Sequence, residues 1–120
     1  MVSKFIGTWK NDINKTIFTI TDGIFTQSYY DNPKLFFFKG TWIAHNATKF
    51  PAQDENRIIL NYTHESTDGT PEPDKMPPVE KEYKKWFFEY SQNNTLILIL
   101  EGYEDVYGKS ELDIYNKEDL

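Results

Sequence analysis

The chain has 120 residues, no cysteine, and a formal net charge of -6 from 13 Lys and Arg against 19 Asp and Glu. That leaves room for one core and excludes a disulfide, a thiol nucleophile and a thiolate metal site, with redox compartment left open. The acidic balance repels a nucleic-acid backbone on average, and Lys81, Lys84 and Lys85 are interleaved with Glu80 and Glu82 as on a solvated face.

Nine Phe, eight Tyr and three Trp, with frequent Ile and Thr, are side chains that pack on a pleated surface, so short strands are expected throughout. A first strand over 5–10 carries Gly7-Thr8-Trp9. A second over 16–20 runs into Asp22-Gly23, a strong hairpin signal, and returns over 24–30. Asn32-Pro33 makes the next turn. The segment 35–44 sets Phe36, Phe38, Gly40, Trp42 and Ala44 on one face, and Gly40 in mid-strand predicts a bend or bulge. A short strand is expected over 47–50.

The cleanest alternation is 57–65, with Ile58, Leu60, Tyr62 and His64 on one side. Gly69 and four of the six prolines make 67–78 a loop. One long strand is expected over 80–90, although its charged first half also suits a helical turn. It turns at Asn93-Asn94 and returns over 95–101, and a last hairpin joins 103–107 to 111–115 through Gly108-Lys109. Eight or nine strands in sequence-neighbour order form an antiparallel meander, and closing it removes the exposed edges. The expected fold is therefore all-β, a single up-and-down barrel spanning 1–120. Phe18, Phe36, Phe38, Trp42, Leu60, Tyr62 and Phe87 are its expected inward members.

Leu96 to Leu100, the longest apolar run, is too short to cross a bilayer as a helix. Eight membrane-length strands would consume most of the chain. Met1-Val2-Ser3-Lys4 lacks the order of a signal peptide. The expected location is cytoplasmic, or the cell envelope or periplasm where a leader has been removed.

His45 and His64 are the only histidines, and no His-x-His or His-Glu-x-x-His spacing occurs, so no metal site is expected. Ser66, His64 and Asp68 are mere sequence neighbours outside any nucleophile-elbow context. No catalytic residue and no cofactor is expected. Asn14, Asn46, Asn61 and Asn93 fit the glycosylation acceptor pattern, as chance provides in a chain rich in Asn and Thr.

The order of Gly7-Thr8-Trp9, Asp22-Gly23, Lys39-Gly40-Thr41-Trp42 and Asn93-Asn94-Thr95-Leu96-Ile97-Leu98 resembles the small bacterial lipocalin-like domains of the calycin group across nearly the whole chain. The resemblance implies a first-strand tryptophan, here Trp9, closing one end of the barrel. It also implies a late basic residue, matched to Lys109, packed across the indole. It further implies a small apolar or amphipathic ligand, or none, and for many bacterial members an envelope location.

An eight-stranded barrel encloses either packed side chains or one small ligand. Tyr29, Tyr30, Tyr62, Trp42, Trp86, Phe88, Tyr90, Tyr103 and Tyr107 offer apolar area together with polar atoms that orient a guest. The expected function is non-enzymatic binding of such a molecule in or at the mouth of the barrel, with Phe38, Trp42, Tyr62 and Tyr103 lining the site and Trp9 closing the far end. The alternative is a fully packed barrel serving as a structural module or recognising a protein partner at the envelope through exposed aromatics or the loop Pro71 to Pro78.

Overall fold

In the computed structural model, which describes residues 2–44, 57–80, 85–91, 93–103, 106–107 and 110–118, eight strands close into one antiparallel up-and-down barrel. They are β1 (Gly7–Asn11), β2 (Thr16–Thr21), β3 (Ile24–Tyr29), β4 (Phe36–Ala44), β5 (Arg57–Thr70), β6 (Trp86–Ser91), β7 (Thr95–Leu100) and β8 (Ile114–Lys117). Each pairs with its sequence neighbours, and β8 returns to β1 through Trp9 opposite Lys117 and Lys10 opposite Asn116. The meander and its closure are as the alternation predicts.

Side-chain alternation fixes what faces the axis. The pairings Trp9–Phe18, Phe18–Gln27 and Gln27–Phe38 run one inward row across β1 to β4. Trp9, Phe18, Ile20, Phe25, Trp42, Ile58, Leu60, Phe88, Leu96 and Tyr115 pack with Phe5 into one buried cluster. Gly40 lies opposite Phe25 and Tyr62. A methyl group there would run into the Asn61 carbonyl oxygen and come within 2.6 Å of the Phe25 ring, so only glycine lets the ring lie against the strand. The expected irregularity is present, as register shifts between Phe36 and Phe38 and between Lys39 and Gly40.

Several boundaries differ from those expected. Val2–Phe5 is a 3-10 helix, so the first strand starts at Gly7. β5 continues to Thr70, into residues expected to loop, because its far half finds fresh backbone partners: Phe36 pairs with Thr70, while Glu65 N and Val79 N donate to the Pro77 and Thr63 carbonyls. β6 begins at Trp86 rather than residue 80, and 81–84 lie outside the described residues, as do the strand expected over 47–50 and His45. Among the described residues no hairpin joins 103–107 to 111–115, and its expected turn, Gly108-Lys109, lies outside them. Val106 N and Tyr107 N both donate to the Tyr103 carbonyl in a turn, Glu111–Asp113 is a 3-10 helix, and β8 pairs instead with β7 and β1.

Two expected inward residues face outward. The shift in β4 sets Phe36 opposite Ser28, on the outer surface. Phe87 pairs with Ile59 and Ile99 on the outer row, beneath the Arg57 guanidinium at 5.8 Å. Among the described residues, no helix is long and apolar enough to cross a membrane.

Candidate functional site

The two ends of the barrel are built differently. At the end where β1 begins, the 3-10 helix brings Phe5 across the opening, and the fully buried Trp9 donates its indole N–H to the Phe5 carbonyl at 2.9 Å. Tyr90 meets Phe5 and Trp9 edge-on, with ring centroids 6.1 and 6.4 Å apart. Lys117 holds its ammonium 5.7 Å from the Trp9 ring, near enough for a cation–π attraction. Lys109, the basic residue matched to this position, lies outside the described residues. Lys117 reaches the indole because β8 runs on to pair it with Trp9.

The opposite end carries the turns β1–β2 and β3–β4 and the long connections β5–β6 and β7–β8, and here the inward side chains are less covered. Phe38, Tyr62 and Trp86 face the axis yet are only half-buried. Ring contacts run inward from the rim without a break: Tyr29 to Phe37 at 4.7 Å, Phe37 to Phe38 at 5.3 Å, Phe38 to Tyr62 at 5.0 Å, Tyr62 to Phe25 at 5.1 Å, Phe25 to Phe18 at 6.0 Å. On the other wall Trp86 meets Tyr107 edge-on at 5.3 Å. An apolar or planar guest entering at this end meets aromatic faces and edges on both sides.

Of the residues singled out from sequence, the fold brings Phe38 and Tyr62 together at this mouth. Trp42 sits deeper, toward the capped end, with its indole N–H donated to the Thr21 carbonyl at 2.7 Å. Tyr103 is exposed in the turn after β7, on the mouth's rim. Trp9 lies at the capped end.

Gln27, to which the sequence reading assigns no role, is the unusual residue of the mouth. It stands between Phe18 and Phe38 in the inward row and is 9% exposed. Its amide oxygen is buried and accepts no hydrogen bond. The signal was present in the alternation Phe25, Gln27, Tyr29, which places a polar side chain where the pattern calls for an apolar one.

The buried amide of Asn11, by contrast, is partnered at both ends. Asn11, 1% exposed, accepts from Ile13 N and Asn14 N at 2.8 and 3.0 Å and donates to the Leu112 and Glu111 carbonyls at 2.8 and 3.2 Å. Asn14 Nδ2 donates to the Tyr115 hydroxyl at 3.1 Å, which lies 2.7 Å from the Thr16 hydroxyl, and that hydroxyl donates to Asn14 Oδ1 at 2.6 Å. Burial raises the Tyr115 hydroxyl above its ordinary pKa, while the bonds to Thr16 and Asn14 pull the other way.

Two half-open grooves formed by described residues lie outside the barrel. One, of about 420 Å³, crosses the outer faces of β1 to β4, lined by Thr8, Thr19, Thr26, Phe36 and the ion pair Lys10–Glu118, among others. The other, of about 290 Å³, lies between the β1–β2 turn and β8. His64 Nδ1 is 2.7 Å from the Thr63 hydroxyl. Among the described residues, no three His, Asp or Glu side chains converge as metal ligands. Compared with protein-family models, curated proteins and solved structures, the chain finds no match.

Proposed function

We propose that the protein is a lipocalin-like carrier, non-enzymatic, that holds a small apolar or amphipathic molecule at the uncapped mouth of its barrel. The observation that carries this reading is the half-buried state of Phe38, Tyr62 and Trp86. These large apolar side chains face inward, where burial stabilises most, yet are left incompletely covered. The capped end supports the lipocalin comparison, because Trp9 beneath Lys117 reproduces the tryptophan and late basic residue that the resemblance implies.

Native mass spectrometry of the purified protein is the direct test, followed by thermal shift with a panel of lipids and small aromatics. The expected results are a retained mass of a few hundred daltons and a raised melting temperature with some members of the panel. A bare polypeptide mass in repeated preparations, with no shift from any compound, overturns the reading. A second reading, recognition of a protein partner, draws on the exposed Ile13, Tyr103, Val106 and Leu112 in the connections at the same end. It is the one to pursue after that outcome.

A further inference from the structure

We infer that Gln27 sets which guests the mouth accepts: its amide oxygen receives a hydrogen bond from an N–H or O–H group on a planar molecule seated against Phe38 and Tyr62. The inference rests on the reading that the mouth binds a ligand, and it narrows the ligand class to flat, ring-containing compounds that carry a donor.

Gln27 Oε1 is a strong acceptor, it is buried, and it is unpaired. Asn11, similarly buried, has partners for both ends of its amide, so this fold can satisfy a buried amide where it needs one. An orphaned acceptor in a native interior is uncommon and calls for a cause.

Its surroundings supply the rest of the chemistry. The cross-strand neighbours of Gln27 are Phe18 and Phe38, both members of the line of rings that starts at the rim with Tyr29. Rings of this kind favour an aromatic guest through offset and edge-on contacts. A guest that also donates one hydrogen bond gains the interaction the protein leaves unmade, and an isosteric guest without a donor leaves that oxygen buried and unpaired. Sites built around such a group discriminate strongly against analogues that lack the matching atom.

The test compares indole with benzofuran, which match in shape but differ in the N–H, by NMR titration of the wild-type chain and of Gln27→Met. Methionine keeps the length of the side chain and removes the acceptor. Wild type is expected to bind indole about tenfold more tightly than benzofuran, and Gln27→Met to bind the two within about twofold while melting at a higher temperature than wild type. Equal binding of both compounds by wild type, or an indole preference that survives in a folded Gln27→Met, overturns the role of Gln27 and leaves the binding mouth standing. Binding of neither compound, together with the bare mass described above, removes the mouth and Gln27's role with it. Should the methionine variant fail to fold, the wild-type preference for indole over both benzofuran and 1-methylindole decides the matter.

Discussion

Asn11 and Gln27 are both inward-row amides with little exposure, and they do opposite things. Asn11 ties the β1–β2 turn to the chain that enters β8, through two accepted and two donated bonds. Replacing it with alanine strands two backbone N–H groups and two carbonyls at once. Asn11→Ala is expected to lower unfolding free energy by about 2–3 kcal/mol, measured by urea denaturation; a loss of less than about 0.5 kcal/mol shows that water fills in for the side chain. At Gln27 the same reasoning has the reverse sign, because removing an unpaired acceptor relieves a desolvation cost of about 1–3 kcal/mol. One amide thus holds the fold together and the other weakens it, the pattern expected when a residue is kept for a task other than stability.

At the scale of the strand, Gly40 decides how β3, β4 and β5 meet. A Cβ there would run into the Phe25 ring and the Asn61 carbonyl, and the register shifts of β4 fall on either side of Phe38. Gly40→Ala is expected to destabilise by about 2–3 kcal/mol, or more if the ring cannot move. Gly23→Ala, at φ +74° with open space around it, should cost only about 1 kcal/mol. Equal losses in paired thermal melts refute the steric account of Gly40.

The elements that sequence made legible are those written by strict alternation between turn signals. β2, β3 and β4 come within a residue or two of their expected ends, since Asp22-Gly23 and Asn32-Pro33 punctuate them. Asn93 and Asn94 both take left-handed backbone, at φ 66° and 56°, which asparagine tolerates and most residues do not. What alternation hides is any boundary set by a distant partner. β5 is extended by pairing with Phe36 and with the prolines after it, and the far end of β8 depends on β1, more than a hundred residues earlier. The register shift that turned Phe36 outward has the same origin, because a one-residue slip reverses a side chain's face without altering the local pattern. In the candidate site, Phe38 and Tyr62 were readable as inward aromatics, whereas Gln27 became conspicuous only once its lack of a partner was seen.

For the molecule as a whole, Tyr115 makes stability depend on alkali. Its hydroxyl is buried, and that burial raises its pKa in the folded state. Between the ordinary tyrosine value and the raised one, the folded chain binds more protons than the unfolded chain, so stability must fall as pH rises through that window. Denaturation midpoints are expected to be level in neutral buffer and to drop above about pH 10. Tyr115→Phe, less stable at neutral pH because Asn14 and Thr16 lose a partner, should show a shallower decline. An identical alkaline slope in the variant assigns the effect to other groups.

The seam between β1 and β8 is short. Two residue pairs, Trp9 with Lys117 and Lys10 with Asn116, and the bond from Glu118 N to the Thr8 carbonyl at 2.8 Å join residues at nearly opposite reaches of the chain. Bringing such distant segments together is entropically costly and slow. During synthesis, β1 emerges well before β8 and waits with one edge unsatisfied until β8 follows. Until then its free backbone groups can template a neighbouring chain, so the nascent barrel is exposed to self-association until β8 emerges and closes it.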